Sequence, residues 1–179
     1  MPNPPAAEIP VVRRLTALTA AQIQALCELL IDCVDGGASV SFMQPLSMAK
    51  AQAFWAGVAA DAASGARALL VAEVGGRIVG SVQLVLAQPE NQPHRADLSK
   101  MLVHRQARRH GLGAALMVAA EQQARDAGKT LLVLDTASDD AERLYQRQGW
   151  QLGGSIPGYA LLPAGGLCTT RYYYRELGR

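Results

Sequence analysis

Between residues 94 and 135 the chain reads as an apolar strand, a glycine-spaced turn, an alanine-rich helix and a second apolar strand. The run TLLVLD, at 130–135, is short, apolar and ends in a carboxylate, as a buried strand after a crossover helix does. Such a unit sets two strands parallel in one sheet and is expected to be right-handed. Upstream, ALLVAEV and RIVGSVQLVLA flank Gly75-Gly76, a hairpin signal. An antiparallel meander and a parallel crossover must therefore share a sheet, which places the chain in the mixed α/β class.

The remaining segments fit around that sheet. A short extended piece at 11–15 precedes Thr19-Ala-Ala-Gln22, a capping-box pattern. Ile23, Leu26, Cys27, Leu30, Ile31 and Val34 then recur at helical spacing up to Gly36. After the loop DGGASVSFMQP, a second helix over about 47–63 carries Ala51, Phe54, Trp55, Val58 and Ala62 on one side. Asp139-Asp-Ala-Glu142 caps a short helix to about 148, and the tail alternates strand and turn: WQLGGSI, PGYALLPAGG, LCTTRYYYREL. The predicted order is β-α-α-β-β-β-α-β-α-β-β, with no repeat or linker to divide it. The 179 residues, half of them hydrophobic, are expected to form one domain with a flexible lead-in at 1–10.

Composition narrows the function classes. A formal net charge of +2, with no basic face interleaved by aromatics, argues against nucleic acid as a partner. Even the apolar run at 66–74 is far shorter than the roughly 20 residues a bilayer requires, so no membrane role is expected. The first ten residues lack the basic and apolar regions of a secretory signal. Cys27, Cys33 and Cys168 form no CxxC pair and no metal-spaced cluster with the histidines. This predicts no metal site and a reducing, cytoplasmic location.

The turn RRHGLG, at 108–113, lies between a strand and a helix, so the free N–H groups of the first helical turn converge there. With a helix dipole equivalent to roughly half a positive charge, they form an anion site without side chains. Gly111 and Gly113 permit close backbone approach, and Arg105, Arg108, Arg109 and His110 add positive field. A P-loop would need a GKS or GKT ending, but Ala114-Ala115 follows Gly113. A dinucleotide fingerprint needs a third glycine, and position 116 is leucine.

The remaining pattern is R-x-x-G-x-G, here Arg108-Arg-His-Gly111-Leu-Gly113, preceded by MLV and followed within one crossover by LYQRQGW. Together these resemble the GNAT superfamily of N-acetyltransferases, in order over about 69–150. Within it the chain is most similar to the tabtoxin resistance acetyltransferase and its relatives. That likeness rests on DGGASVSFM at 35–43, RADLSKMLV at 95–103, HGLG at 110–113, LLVLDT at 131–136 and PGY at 157–159. The resemblance implies a central, mostly antiparallel sheet with one parallel, splayed pair and helices on both faces. It also implies acetyl-CoA as cosubstrate and no metal. The coenzyme would lie against the backbone of Met101, Leu102 and Val103, the turn from Arg108 and Arg109 through His110, Gly111, Leu112 and Gly113 to Ala114, and Ser138, Ala141 and Tyr145. Three positions depart from the superfamily pattern: Ser138 replaces a common asparagine, Arg105 a common proline, and Arg109 a frequent glycine, which would be strained at positive φ.

Acetyl transfer needs a base, because an alkylamine with a pKa near 10.4 is mostly protonated at pH 7. Asp97 shares strand alternation with residues 99 and 101 until any bulge intervenes, and Asp135 ends a parallel strand, where crossover folds gather ligands. The two acids are expected to act as a pair, directly or through water. By resemblance Tyr145 is the general acid toward the departing thiolate. A cysteine relay is disfavoured because Cys27 and Cys33 fall within a predicted helix. Asp35, Gly36, Ser39 and Phe42 in the DGGAS segment, with Tyr159, would wall the acceptor site, and the resemblance implies a small amine of the amino-acid or amino-acid-like toxin class. Two alternatives remain: a non-catalytic acyl-CoA-binding module and a protein N-acetyltransferase. The strand-rich tail offers a surface for a homodimer.

Overall fold

Seven strands form a single sheet in a computed structural model that describes residues 10–178. They are β1 (Val11–Leu15), β2 (Arg67–Val74), β3 (Arg77–Val85), β4 (Arg95–Val103), β5 (Leu131–Thr136), β6 (Gln151–Leu161) and β7 (Leu167–Glu176), in the spatial order β1-β2-β3-β4-β5-β7-β6. The helices are α1 (Ala20–Asp35), α2 (Met48–Ser64), α3 (Leu112–Asp126) and α4 (Asp139–Arg147). Apart from Pro10, the predicted lead-in lies outside the described residues.

Every neighbouring pair is antiparallel except β4 and β5, which run parallel from Arg95↔Leu131 to Asp97↔Val133. The mixed sheet expected from the sequence is therefore present, and helices cover both of its faces. Leu26, Leu30, Trp55 and Val58 of α1 and α2 pack on Leu15, Leu69 and Val71. On the opposite face Leu116, Met117, Tyr145 and Trp150 pack on Leu70, Leu84 and Leu132. Each such fully buried side chain contributes about 1.5–3 kcal/mol.

Local signals operate as written. Thr19 Oγ1 accepts from Gln22 N at 3.2 Å while Gln22 Oε1 accepts from Thr19 N at 2.9 Å, closing the capping box. Trp150 Nε1 donates to Glu121 Oε1 at 3.1 Å inside the core, tying the end of α4 to α3. The tail differs from its predicted breaks, since β6 runs unbroken through Pro157. As the last strand of the sheet it has one side free, so proline's missing N–H is tolerated there. Register shifts at Leu152/Gly154 and Ile156/Ala160 absorb the rest.

The departure that matters for the site is in β4. Ser81 pairs with Leu102 and Gln83 with Ser99, so Lys100 and Met101 together oppose Val82. This is a β-bulge, with Lys100 in the left-handed region at φ 49°. Alternation reverses across it: Ala96 and Leu98 pack with α3, but Leu102 packs with α1 and α2. Asp97 and Ser99 consequently do not share a face with Met101, contrary to simple alternation.

Candidate active site

Hydrogen bonding between β4 and β5 stops at Asp97↔Val133, and beyond that rung the strands part. Residues 98–103 of β4 and 134–136 of β5 line the resulting cavity of about 730 Å³. Its wall draws on both layers: Ser39 and Ser41 from the α1–α2 connection, and Leu112, Gly113, Leu144 and Tyr145 from α3 and α4. The opening thus runs through the sheet. A smaller cavity of about 280 Å³ shares Ser39, Ser41 and Asp135 with it and adds Phe42, Tyr159 and Thr170.

At the α3 end, Gly111 is the N-cap at φ 78° and no side chain caps the helix. The first helical donor is Ala115 N, 3.0 Å from Gly111 O, which leaves the N–H groups of residues 112–114 without partners among the described residues. Those residues line the larger cavity. Gly113 lies against α4 closely enough that a Cβ there would be 3.0 Å from Leu144 Cδ2, so that side chain would have to shift. Arg108 and Arg109 stand on the cavity wall, with Arg108 Nε donating to Val103 O at 3.2 Å. Arg109 has φ 66°, the strain that follows when a frequent glycine becomes arginine.

Two of the predicted cations lie elsewhere. His110 is not on the cavity wall, and its Nδ1 lies 3.4 Å from Ala107 O. Arg105 turns away to Asp32, with Nε to Oδ1 and N to Oδ2 both 2.9 Å. Burial pushes the Asp32 carboxyl up, but the Arg105 hydrogen bonds and the neighbouring His104 outweigh it and hold the carboxyl below its usual range. Arg143 and Arg147 of α4 supply positive charge to the cavity instead, Arg143 while ion-paired with Asp140. Their four-residue spacing puts them on one helix face, a signal the sequence contained.

Tyr145 lines the cavity, is only 4% exposed as a residue, and its hydroxyl makes no hydrogen bond among the described residues. Burial, reinforced by the charge of Asp135, pushes the phenol well above its ordinary pKa. Asp135 is exposed at the junction of the two cavities and has no ion-pair or hydrogen-bond partner among the described residues. Across β5 and β7 it pairs with Tyr172, whose hydroxyl donates to Tyr159 at 2.9 Å. That hydrogen bond, with burial and the nearby Asp135, pushes Tyr172 up to about 12.

Asp97 is not brought to Asp135. It sits on the last rung where β4 and β5 still pair, below the opening, and lines neither cavity. Its carboxylate is ion-paired with Arg95 and accepts from Gln88 Nε2 at 3.1 Å. Asp35, at the end of α1, is exposed and off both walls, whereas Gly36 is on the larger one. Ser39, Phe42 and Tyr159 meet at the smaller cavity. Ser138 caps α4, its Oγ accepting from Ala141 N at 3.3 Å, and both residues line the larger cavity. Cys33 also touches that wall, but burial pushes its thiol up and it donates to Val103 O at 3.6 Å, unlike an activated nucleophile.

Sequence reading missed Lys100, because RADLSKMLV looks like an unbroken strand. The bulge carries its ammonium into the cavity, 3.1 Å from Ser41 Oγ and 5.8 Å from the Phe54 ring centroid. Burial pulls its pKa down, partly opposed by Asp135 and reinforced by the like charge of Arg67. Ser41 (φ 75°), Lys100 (49°) and Arg109 (66°) are the non-glycine residues at positive φ among those described, and all three line this one cavity.

No described helix is long and apolar enough to cross a membrane. Residues 24–150 match the Acetyltransferase (GNAT) family. An uncharacterized N-acetyltransferase from the hisH-hisA intergenic region of Azospirillum brasilense is 34% identical over 126 residues, covering 69% of this chain and 73% of the relative. Among solved structures, a ribosomal-protein-alanine N-acetyltransferase of Brucella melitensis superposes with TM-score 0.76 at 21% identity, over 93% of this chain and 99% of that one. A phosphinothricin acetyltransferase of Sinorhizobium meliloti in complex with AcCoA gives TM-score 0.76 at 18% identity, over 94% and 89%. The likeness in sequence falls on the strand, turn and helices that build the cavity, and the likeness in fold extends over nearly the whole chain. The chain belongs to the GNAT acetyltransferase family and is an N-acetyltransferase.

Proposed function

We propose that the chain, as a single domain in the cytoplasm, transfers the acetyl group of acetyl-CoA to a small zwitterionic amine by direct attack in a ternary complex. The observation that carries this reading is the opening between β4 and β5, which has uncapped helix N–H groups at one end and Asp135 and Tyr145 on its wall. The diphosphate of the coenzyme would sit on the N–H groups of residues 112–114 beside Arg108 and Arg109, with Arg143 and Arg147 within the same positive field. The pantetheine arm would follow the unpaired edge of β4 past Val103, Leu102 and Met101.

Asp135 takes the amine proton, directly or through a water, and the amine nitrogen then attacks the thioester carbonyl carbon. As the C–S bond breaks, the Tyr145 hydroxyl donates a hydrogen bond to the leaving thiolate, which takes up the proton shed by the newly acylated nitrogen and departs as the free thiol, while Asp135 returns its proton to water. Asp97 has no part in this scheme, because Arg95 and Gln88 hold it away from the opening.

An amino acid or an amino-acid-like toxin or antibiotic is the acceptor class we assign. Support comes from the tabtoxin-resistance-like DGGASVSFM segment and from fold likeness to the phosphinothricin enzyme. We further propose a homodimer formed over the exposed Leu152, Ile156, Leu161 and Leu167 of β6 and β7, to be read from sedimentation. The test of activity is thiol release from acetyl-CoA across a panel of small amines and one alanine-terminated peptide, with calorimetry of acetyl-CoA binding alongside. Heat of binding and turnover of small amines are expected. Turnover of the peptide alone would move the acceptor class to proteins, and absence of binding heat would remove the whole reading.

A further inference from the structure

Two opposite charges face the opening, Lys100 from β4 and Asp135 from β5, yet they form no ion pair with each other. Asp135 has no hydrogen-bond or ion-pair partner among the described residues, and among them the Lys100 ammonium meets the Ser41 hydroxyl and the face of Phe54, with no carboxylate paired to it and the charge of Arg67 acting on it from nearby. A partly buried ammonium without a carboxylate is costly to keep. Holding lysine rather than glycine at φ 49° adds backbone strain.

The surroundings of Lys100 select a ligand of one sign. Its neighbour Ser41 is also at positive φ, so two strained residues from separate segments meet at one contact. Gln83 pairs with Ser99 across β3 and β4, so both side chains leave the same face of the sheet, and Ser99 lines the cavity. Gln83 itself lines neither cavity: its Nε2 is buried without an acceptor among the described residues and its Oε1 accepts from Arg67 Nη1 at 2.6 Å. The charged donor on this side of the opening, Lys100, therefore lacks an anionic acceptor, while the far side offers Asp135 to an ammonium.

We propose that Lys100, with Ser41, binds the negatively charged group of the acceptor and is the residue that makes the enzyme select amines carrying a carboxylate or a similar anion. This rests on the acetyl-transfer reading given above. The acceptor would span the gap with its amine at Asp135 and its anion at Lys100, which orients the nitrogen toward the thioester. Nothing in this assignment requires Lys100 to exchange a proton. Its role is specificity.

The experiment compares kcat/KM for small α-, β- and γ-amino acids, each against its own carboxamide, which keeps the amine and the length and removes only the charge. Wild type, Lys100→Gln and Lys100→Arg are measured together, with calorimetry of acetyl-CoA to report that each variant is folded. The expected result is that wild type favours the acid of at least one pair. Lys100→Gln should collapse that acid-to-amide ratio by about 10- to 100-fold, chiefly through KM, and Lys100→Arg should restore part of it. An acid-to-amide ratio that stays within about threefold in Lys100→Gln, or wild-type preference for the amides, overturns the role of Lys100 while acetyl transfer stands. Binding of acetyl-CoA with no thiol release on any acceptor overturns both readings together, and is recognisable as such.

Discussion

Replacing Tyr145 with phenylalanine separates packing from chemistry. The ring centroid lies 6.0 Å from those of Trp150 and Tyr173, contacts that phenylalanine retains. The hydroxyl has no protein partner among the described residues, so its loss should change stability by no more than about 1 kcal/mol. A thiol titrates near 8.5 and a phenol near 10, so complete proton transfer to the thiolate is uphill by about 2 kcal/mol before any shift. Burial and Asp135 push the Tyr145 phenol higher still. Its contribution is then a charge-assisted hydrogen bond along the breaking C–S bond, worth about 1.5–3 kcal/mol. That corresponds to a fall in kcat of about 10- to 150-fold, measured as thiol release at saturating acetyl-CoA and acceptor. A Tyr145→Phe enzyme within twofold of wild-type kcat would refute the reasoning. The raised phenol pKa also has a sign in stability: the unfolded tyrosine ionises first, above about pH 10, so its contribution is present below that pH and lost as pH rises toward the folded value. Denaturant unfolding of the variant should lack this alkaline loss.

Asp135→Asn removes the proposed base and should lower kcat/KM by about 10²- to 10⁴-fold, while the Tyr145 and Tyr172 phenols titrate at lower pH by ultraviolet absorbance. Gly113→Ala places a methyl 3.0 Å from Leu144 Cδ2 on the cavity wall, forcing that side chain to shift; calorimetry should show acetyl-CoA affinity weakened up to about tenfold with the fold intact. Trp150→Phe leaves the buried Glu121 without its 3.1 Å donor and opens space in the core, so urea unfolding should register a loss of about 2–4 kcal/mol.

The element order was legible because its signals are local. Thr19 and Gln22 close a cap within one turn, Gly75 and Gly76 both take the positive φ of a tight hairpin, and the apolar spacing of α1 and α2 matches the faces they bury. Residues 112–114, Tyr145 and Asp135 could be placed at the site because each sits at the end of a regular element. What escaped depends on registers that the sequence does not encode locally. The bulge at Lys100 is set by how β4 pairs with β3, and it turns a strand lysine into a cavity residue. Asp97 looked equivalent to Asp135, but only the point at which β4 and β5 stop pairing tells which carboxylate is below the opening and which is beyond it. Arg105 looked like part of the anion site until its partner, Asp32, more than seventy residues away in sequence, came beside it.

An aperture between two adjoining strands has a further kinetic meaning. On the proposed reading, the nucleotide carrier would approach from the α3–α4 side and the acceptor from the side of Ser39 and Phe42, so that the two would meet across the sheet instead of sharing one approach. The acetylated product and the spent carrier would then leave on opposite sides of the sheet.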